Sequence, residues 1–350
     1  MICLRNRFIT SSCYFIIYTL AIIFLSCQFL LLGKFISRNG NDAYSLAYSF
    51  NSTSWSNYNN EAKLKPVTGR CDNCDFDLAR RESLGFFDDI PSPTWELMKQ
   101  KVRDMAPNFN AFYLPFSRGL SHRIYNPGTF YQNNYEPDFV CQHERRIGRL
   151  GDGGKWICDP HRIASSEDCL VYSVGSNNDF SFELSVLREI GQHCEIHTFD
   201  FGDYAEGARK VGYRIHNGEN KSAVNYHRIG LGEDNPPRLK SLSTIVKELG
   251  HENRTIDIFK IDCEGCEWTS ARKWFDADVT LRQIQVELHK SDPYTTPQFF
   301  DMMYEQNYVI THKESNIEYT GPDDVAIEYA FLKLSPDFFS GYERAKGYAG

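Results

Sequence analysis

Residues 169 to 200 read Cys169-Leu-Val-Tyr-Ser-Val-Gly175-Ser-Asn-Asn-Asp-Phe-Ser-Phe-Glu183-Leu-Ser-Val-Leu-Arg-Glu-Ile-Gly191-Gln-His-Cys-Glu-Ile-His-Thr-Phe-Asp200. A short apolar run ends at Gly175, and a polar loop and an amphipathic segment follow it. A second apolar run then ends in the acid Asp200. This succession of strand, loop, helix, strand and acid is typical of the nucleotide-binding half of a doubly wound α/β fold.

The chain beyond this unit continues the alternation of apolar runs and amphipathic segments. The predicted strands span residues 170–174, 195–199, 226–229, 256–262, 281–289 and 328–334. The predicted helices span residues 94–105, 180–190, 241–249 and 297–307, with one more ending near residue 275. Thr94 is the expected N-cap of the first helix and Gly191 the expected C-cap of the second. Strands that alternate with helices indicate a mostly parallel sheet, so we expect a doubly wound, Rossmann-like α/β domain.

Length and composition restrict the class of protein. The 350 residues suit one large domain with extensions, or two small domains. The composition, 41% hydrophobic and 24% charged, is that of a folded protein. The formal net charge is -8, and no basic stripe is present. This charge argues against a nucleic-acid partner.

Residues 13 to 33 form an uncharged segment dominated by Phe, Ile and Leu. The segment is long enough to span a bilayer, for which about 20 apolar residues suffice. Basic residues flank both of its ends, so charge does not orient it. We favour an uncleaved signal anchor. A cleaved signal peptide is the alternative, but no small-x-small site follows Leu32, and a buried core helix is rarely apolar on every face.

These patterns divide the chain into five predicted parts. They are a short cytoplasmic tail (1–12), a transmembrane signal anchor (13–33), a luminal stem (34–90), an N-terminal extension with a helix (91–140) and the α/β domain (141–340). The stem is rich in Ser, Asn, Tyr and Gly and has no apolar periodicity, which is typical of a solvated, poorly ordered segment.

The features after the apolar segment indicate the compartment. Asn51, Asn220 and Asn253 each begin an N-glycosylation motif. An even number of cysteines also follows the segment, as disulfide pairing in the secretory lumen favours. These cysteines are Cys71, Cys74, Cys141, Cys158, Cys169, Cys194, Cys263 and Cys266. The sequence therefore predicts a single-pass type II membrane protein with its body in the Golgi or endoplasmic reticulum lumen, or a secreted protein if the anchor is cleaved.

The segment from Cys141 to Asp159 combines glycines with basic residues, which predicts a mobile or tightly turned loop. Its basic residues could face a ligand carboxylate. The alternative is a solvated approach loop that a Cys141–Cys158 bridge holds in place. Upstream, the Cys71-x-x-Cys74 pair favours a disulfide, because no second pair lies at the spacing of a zinc site.

The loop after the first predicted strand has the properties of a ligand site. Gly175 permits a tight turn beneath a ligand, and the following helix directs free N–H groups at the same space. Asp200, at the end of the next strand, can hydrogen-bond a ribose diol. The loop has one glycine where a dinucleotide fingerprint has three, which favours a cofactor with a ribose and a carboxylate over a pyrophosphate. A plain strand-turn-helix unit without a ligand is the alternative.

A second set of polar residues follows two later strands. The set comprises Lys260, Asp262, Glu264, Glu267, Glu287 and His289. Ligands of open α/β sheets bind at the carboxyl edge of the strands, and acids there usually line a cleft because burial without a partner is costly. His289 could serve as a general base or be a structural histidine. For Lys260 we favour a salt bridge to an acid of the same cleft.

The segment Asp257-Ile-Phe-Lys-Ile-Asp-Cys-Glu-Gly-Cys-Glu-Trp268 resembles the KIDxEGxE segment of the FkbM-type S-adenosylmethionine-dependent methyltransferases. A wider set of motifs is similar to methyltransferase-like protein 24 and its relatives, which are membrane-anchored or secreted. That set is Cys141-Gln with the Asp152-Gly-Gly154 loop, Cys169-Leu-Val-Tyr-Ser-Val-Gly175 and His197-Thr-Phe-Asp200. The resemblance covers roughly residues 136 to 335, but the first loop departs from the usual glycine-rich pattern.

The resemblance implies methyl transfer from S-adenosylmethionine to a small-molecule, glycan or protein acceptor, with a hydroxyl as the expected acceptor group. In-line transfer needs mainly alignment, and an acidic cleft suits the positive sulfonium. The implied cofactor-binding residues are Gly175, Glu183, Asp200 and Asp262, and the implied catalytic residues are Asp262, Glu264 and His289. For an oxygen acceptor, Asp262 or His289 would be the base.

Asp262, Glu287 and His289 are also chemically able to hold a divalent metal, although no metal site is predicted. Cys263 and Cys266 are expected to form disulfides in an oxidising lumen, with more distant cysteines as candidate partners.

Two other functions are compatible with the same layout. A type II glycosyltransferase would share the anchor, stem and luminal body. Asp75-Phe-Asp77 and Asp276-Ala-Asp278 are Asp-x-Asp strings that could hold a metal and a sugar diphosphate, but such strings arise easily in an acidic chain. The second function is a catalytically inactive luminal binding domain on the same fold.

Overall fold

Seven strands form the central sheet of the computed structural model. In chain order they are β1 (Leu170–Val174), β2 (Glu195–Phe199), β3 (Val224–His227), β4 (Ile258–Ile261), β5 (Gln283–His289), β6 (Tyr308–Gly321) and β7 (Asp324–Lys333). Their order across the sheet is β3-β2-β1-β4-β5-β7-β6. The first five are parallel, and β7 lies antiparallel between β5 and β6. The predicted doubly wound α/β class, with a mostly parallel sheet, is confirmed.

The structure describes residues 75–112, 131, 134–216, 219–289, 295–321 and 324–341. All of these lie in the second of two compact units, Asn73–Gly350. The predicted tail, the predicted anchor and the Cys71–Cys74 pair lie outside the described residues, as do residues 34–74 of the predicted stem. Within the described ranges, none of the helices has both the length and the apolar character that crossing a membrane requires.

Eight α-helices surround the sheet in the described part of the chain. They are α1 (Asp77–Glu82), α2 (Ser92–Phe112), α3 (Pro160–Ala164), α4 (Ser181–Ser185), α5 (Ala205–Lys210), α6 (Leu242–Leu249), α7 (Cys266–Ser270) and α8 (Thr295–Glu305). A π-helical turn, Val186–Ile190, continues α4. Two 3₁₀ turns, Ala271–Asp276 and Pro336–Phe339, follow α7 and β7.

Four short strand pairs complete the secondary structure. Arg145–Ile147 pairs with Lys155–Ile157 as an antiparallel ladder that we call the approach hairpin. The other three pairs are Tyr213–His216 with Glu219–Ser222, Gly230–Leu231 with Leu239–Lys240, and Thr255–Ile256 with Thr280–Leu281. The predicted approach loop therefore contains regular structure.

Several predicted boundaries were wrong. Thr94 is not the N-cap of α2, because the helix begins at Ser92 and Pro93 lies in its first turn, where the missing N–H costs nothing. By contrast, Gly191 is the C-cap of the second helix, as predicted, with extended backbone (φ 164°) after a π-helical turn. The third strand ends at His227, because Gly230 pairs with a different partner.

The hydrophobic core lies in two layers, one on each face of the sheet. One layer includes Phe87 and Trp95, which come from before the predicted α/β domain, and Phe338, which comes from its end. The Trp95 and Phe338 ring centroids are 5.5 Å apart, and the Ser335 N–H donates to the Glu82 carbonyl oxygen (2.8 Å). Residues 77–90, which fall within the predicted stem, thus form α1 and a turn that pack on the domain.

Three disulfides join cysteines of the described residues. Cys141–Cys158 is the predicted bridge of the approach loop, and Cys169–Cys194 joins the segments that precede β1 and β2. Cys263 and Cys266 are bonded, as expected, but to each other and not to distant cysteines. Because α7 begins at Cys266, the chain turns back between the two residues and brings their sulfur atoms together.

Candidate active site

A cavity of about 660 Å³ lies at the carboxyl ends of β1, β2 and β4, where the strand order reverses. This position, a switch point in an open α/β sheet, is where ligands of such sheets bind. The volume is in the range of small-molecule sites. Four of the predicted site residues line the cavity, namely Gly175, Asp200, Asp262 and Glu264. Arg149, Asp152 and Gly153 of the approach hairpin form another part of the wall.

Gly175 is required by the close approach of two strand ends. Its φ is +79°, and a Cβ added there would lie 1.5 Å from the carbonyl oxygen of Asp262. The Gly175 N–H donates to the Phe199 carbonyl (2.9 Å), and Lys260 Nζ donates to the Gly175 carbonyl (2.6 Å). The turn is therefore fixed on both sides, with its backbone facing the cavity.

Asp200 organises the loop after β1. Its Oδ2 accepts hydrogen bonds from the Ser176 and Asn177 N–H groups (2.7 and 2.9 Å), and its Oδ1 accepts one from Gly202 N–H (2.9 Å). Burial alone would raise its pKa, but these backbone donors lower it. Asp200 is therefore an ionised carboxylate with lone-pair capacity left on Oδ1, as a ribose ligand requires.

Glu183 occupies a different position from the other predicted cofactor contacts. It is 1% exposed and accepts a hydrogen bond from Thr198 Oγ1 (3.0 Å). Burial raises its pKa. Glu183 is not among the residues that line the cavity, because α4 turns its side chain towards the sheet.

A buried ion cluster lies beneath the Asp262 side of the cavity. Lys155 is 2% exposed, and its Nζ contacts Asp262 Oδ2 (3.2 Å), Glu287 Oε2 (3.4 Å) and Glu328 Oε1. Asn316 Nδ2 donates to Glu287 Oε1 (2.8 Å). One ammonium from the approach hairpin therefore contacts carboxyl groups of three neighbouring strands, two within β5 and β7 and one just after β4.

The acids of this cluster have opposite pKa shifts. Burial would raise the pKa of Asp262, but Lys155 and Lys260 lower it, so Asp262 is ionised. Burial raises the pKa of Glu328 to about 8 and, together with the charge of Asp262, raises the pKa of Glu287.

Lys260 Nζ also lies 3.7 Å from Asp262 Oδ2, which confirms the predicted salt bridge to an acid of the same cleft.

Asp262, Glu287 and His289 do come within metal-binding distance of one another. However, the Lys155 ammonium already contacts the two carboxylates and supplies the positive charge that a cation would bring. The geometry of this cluster therefore favours an ion-pair network over a metal centre.

His289 lies behind the cavity wall. Its Nδ1 is 3.1 Å from Glu267 Oε1, and that oxygen also accepts the His289 N–H (2.9 Å). Burial would lower the pKa of His289, but the hydrogen bond and charge of Glu267 and the charge of Glu287 raise it to about 9. His289 is therefore protonated at neutral pH and is poorly suited to be the base. Glu264, with a side chain 71% exposed, faces the cavity instead.

Lys155 and Glu328 are functional candidates that sequence reasoning missed. Glu328 lies directly opposite Glu287 in the antiparallel β5–β7 ladder. A prediction of this ladder's register would have placed Glu328 beside Glu287, because residues that lie opposite each other share a face of the sheet. Lys155 gave no comparable signal, since it reaches the cluster only through the fold of the approach hairpin.

The Asp-x-Asp strings of the glycosyltransferase hypothesis lie away from the cavity. Neither Asp75-Phe-Asp77 nor Asp276-Ala-Asp278 contributes to its lining. The Asp278 carbonyl accepts the Asn253 N–H (2.7 Å), just before Thr255–Ile256, which places that string at the amino edge of the strands.

A switch-point cavity with a glycine turn on one strand and an acid on the next defines a nucleoside-cofactor class of α/β protein. The chain belongs to the methyltransferase domain family, whose model matches residues 77–333. This membership confirms the predicted enzyme class, a methyltransferase, and the predicted cofactor, S-adenosylmethionine. No curated protein matches the chain.

Several solved structures are distantly similar. TrmN from Thermus thermophilus is 10% identical over 50% of this chain and 47% of its own, with a TM-score of 0.30, so the chain spans about half its length. Burkholderia thailandensis 1,6-didemethyltoxoflavin-N1-methyltransferase, with bound S-adenosylhomocysteine, is 11% identical over 51% and 79%, with a TM-score of 0.31. The Methanococcus jannaschii fibrillarin pre-rRNA processing protein is 9% identical over 55% and 83%, with a TM-score of 0.33.

The residues of the cavity fit this cofactor. The backbone cradle at Gly175 has no space for a Cβ and leaves the turn open to a ligand. Asp200 provides an acceptor for a ribose diol, and Asp262 provides negative charge further along the same wall. Ser181 and Phe182, at the start of α4, lie between the loop and the approach hairpin.

Proposed function

We propose that this protein transfers a methyl group from S-adenosylmethionine to a hydroxyl group of a small-molecule, glycan or protein acceptor in the lumen of the secretory pathway. The observation that carries the proposal is the single cavity wall that joins Gly175 and Asp200 to the ionised Asp262. The first two residues would hold the nucleoside, and Asp262 would face the reacting centre.

The cofactor, when bound, supplies an activated methyl group. The protein's contribution is alignment together with electrostatics matched to a positive sulfonium. Asp262 is held ionised by Lys155 and Lys260, so its carboxylate is available as a hydrogen-bond acceptor at the cavity wall.

Asp262 is also the residue that we propose accepts the acceptor's proton. A hydroxyl oxygen becomes strongly acidic as its new bond to carbon forms, so a weakly basic carboxylate suffices. Of the two bases that the sequence predicted, His289 is already protonated and lies outside the cavity lining. Glu264 is exposed beside the cavity and would contact the acceptor.

Within the methyltransferase family, we propose that the chain is similar in kind to the FkbM-type enzymes and to methyltransferase-like protein 24 and its relatives. The Ile258–Ile261 strand and the Cys263-Glu-Gly-Cys-Glu-Trp268 turn support this proposal, because they form the cavity edge at which the resemblance is strongest.

The binding experiment uses the full chain and calorimetric titration with S-adenosylmethionine. Asp200→Ala should weaken binding at least tenfold, because it removes the ribose acceptor and the acceptor of three loop N–H groups. Asp203→Ala is the matched control, since that side chain is 75% exposed and contacts only Arg228 at 3.5 Å in the described structure. Equal affinities of the two variants would rule out the ribose assignment.

The same titration separates the alternative functions. Binding of S-adenosylmethionine followed by transfer of labelled methyl to hydroxyl acceptors supports the proposal. Binding of a uridine diphosphate sugar instead would identify a glycosyltransferase. Binding without transfer to any acceptor, or binding of neither ligand, would favour an inactive luminal domain.

The compartment is a separate proposal. Asn253 is exposed in a turn, and the three disulfides are consistent with an oxidising lumen. We propose a type II membrane protein of the Golgi or endoplasmic reticulum, anchored by residues 13–33. Endoglycosidase treatment of the expressed chain should increase its mobility, and Asn253→Gln should remove part of that shift. A chain of unchanged mobility would contradict luminal exposure.

A further inference from the structure

A second cluster of ionisable side chains lies at the opposite end of β2 from the cofactor cavity. Glu195 is the first residue of β2, and His197 lies two positions later on the same face. His251, which follows the end of α6, packs against both. None of these three residues lines the cofactor cavity, which begins beyond the other end of the strand at Asp200.

The donor atoms of the three residues converge. Glu195 Oε1 lies 3.1 Å from His197 Nε2 and 3.5 Å from His251 Nε2, and each residue offers one ligand atom within 4.8 Å of those of the other two. Zn²⁺ bonds of about 2.0–2.1 Å at tetrahedral angles separate neighbouring ligand atoms by roughly 3.3 Å. The two measured separations lie on either side of that value.

Each imidazole also has a partner at its other nitrogen. His197 Nδ1 lies 2.9 Å from His227 Nε2, and His251 Nδ1 lies 2.7 Å from the Tyr172 hydroxyl. When Nε2 binds a metal, the proton of the ring resides on Nδ1 and needs an acceptor. A hydrogen-bond partner of this kind fixes the ring and accompanies nearly all histidine ligands in metal sites.

The charges around the cluster leave one carboxylate oxygen for an ion. Arg254 contacts the other oxygen of Glu195, Oε2, at 2.7 Å, and it also pairs with Asp168 at 2.7 Å. The guanidinium is therefore neutralised by a second acid. Both histidine side chains are 6% exposed, whereas the Glu195 side chain is 32% exposed and gives access from solvent.

We propose that Glu195, His197 and His251 form a zinc site that is separate from the methyl-transfer cavity. Two imidazoles and one carboxylate are a ligand set that suits Zn²⁺, with a water molecule in the fourth position on the exposed side. The ion would connect the start of β2 to the turn after α6. Its effect would be to stabilise the half of the sheet that carries Asp200.

The test measures zinc on the tag-free, full-length chain. Dialysis against Zn²⁺ followed by elemental analysis should give one ion per chain, and Co²⁺ in its place should give the visible absorption of a tetrahedral site. His197→Gln and His251→Gln should each weaken Zn²⁺ binding by more than about 100-fold. Tyr172→Phe, which keeps the ring but removes the partner of His251, should weaken it roughly 10- to 100-fold.

Two controls decide between sites. His289→Gln alters the cluster beneath the cofactor cavity, and His161→Gln alters an exposed histidine; both should bind Zn²⁺ like the unaltered chain. Thermal unfolding of each variant, with and without Zn²⁺, shows whether it is folded. Failure of the unaltered chain to bind one ion overturns the proposal. Undiminished binding in His197→Gln or in His251→Gln, or loss of binding in His289→Gln, overturns it as well.

Discussion

Gly175 couples the fold to the cofactor site at the scale of one residue. Its left-handed backbone lets the chain turn at the end of β1, while the absence of a side chain lets the carbonyl of Asp262 approach from the end of β4. Strands β1 and β4, which pair along their length, thus remain in close contact at their carboxyl ends. The positive φ and the lack of space for a Cβ are two independent reasons for glycine at this position.

Gly175→Ala should therefore cost more than a change of backbone preference alone. We expect a loss of roughly 3 kcal/mol or more in the free energy of unfolding, from a strained φ together with a clash in a packed site. Gly250→Ala is the control, because Gly250 also has a positive φ (+69°) but has open space around its Cβ position. The control should lose about 1 kcal/mol. Similar losses in urea unfolding of both variants would show that the contact with Asp262 is unimportant.

His289 gives a prediction about pH. Its pKa rises from 6.5 in the unfolded chain to about 9 in the folded protein. The folded state then holds the proton more tightly, so this stabilisation is fully present below pH 6.5 and is lost as the pH rises through 9. The shift corresponds to about 3 kcal/mol. The stability difference between the unaltered chain and His289→Gln should shrink between pH 6 and pH 9.5; a constant difference would contradict the shift.

The approach hairpin is the element that completes the site. Its strand Lys155–Ile157 places a buried ammonium among three acids, while the loop before it carries Arg149 and Asp152 to the cavity wall. The Cys141–Cys158 bridge closes the segment that contains the hairpin. Both hypotheses for this segment hold in part: the bridge exists, and a basic residue faces the cavity.

Lys155→Met should leave Asp262, Glu287 and Glu328 without their shared cation. Removing one partner from a buried ion pair typically costs about 3–5 kcal/mol, and we expect a loss of that size in chemical unfolding. Adding Glu328→Gln to Lys155→Met should restore part of the lost stability, because the cluster then has one fewer buried carboxyl group without a cation. Lys273→Met is the control, since the Lys273–Glu233 pair is exposed and should give no measurable loss. If Lys155→Met lost no more stability than the control, the ion pairing of Lys155 with the three acids would not stabilise the fold.

The elements that the sequence predicted best carry local signals. The β1 and β2 boundaries were confirmed because each strand is a continuous apolar run with a turn residue after it. The end of α6 was confirmed because Gly250 adopts the left-handed conformation. Strand β6 was not predicted, because its polar residues mask the alternation and it is stabilised by pairing with β7 at the sheet edge.

The candidate site was likewise predicted only where the sequence carries a local signal. Asp200 and Asp262 were placed in one cavity because both follow strands whose carboxyl ends meet at one edge. The exclusion of Glu183 and His289 from its lining depends on the direction in which each side chain turns, which spacing does not encode. The Lys155 cluster depends on the register of β5 and β7 together with a hairpin from far upstream.

Across the whole molecule, disulfides close loops of different size. Cys141–Cys158 has a sequence separation of 17, whereas Cys263–Cys266 has a separation of 3. A disulfide restricts the unfolded chain more when the loop it closes is longer. The two bonds should therefore differ in their contribution to stability.

Replacing Cys141 and Cys158 together by Ala should lower the free energy of unfolding by about 3 kcal/mol. The same double replacement of Cys263 and Cys266 should cost about 1.5 kcal/mol. Guanidinium unfolding under oxidising conditions measures both values, and repeating it with reductant should abolish the difference. A larger loss from the Cys263–Cys266 pair would mean that the bond acts mainly on the folded cavity edge.

The contact between Trp95 and Phe338 also has a consequence for biosynthesis. The ribosome synthesises α2 before the whole sheet, whereas Phe338 is synthesised only after all seven strands. The partners of α2 in Phe87 and Phe139 are synthesised before the sheet, so only the contact with Phe338 must wait until the last strand is complete. Contacts between distant parts of a chain form slowly, so the aromatic contact that ties α2 to the end of the domain belongs to the late steps of folding.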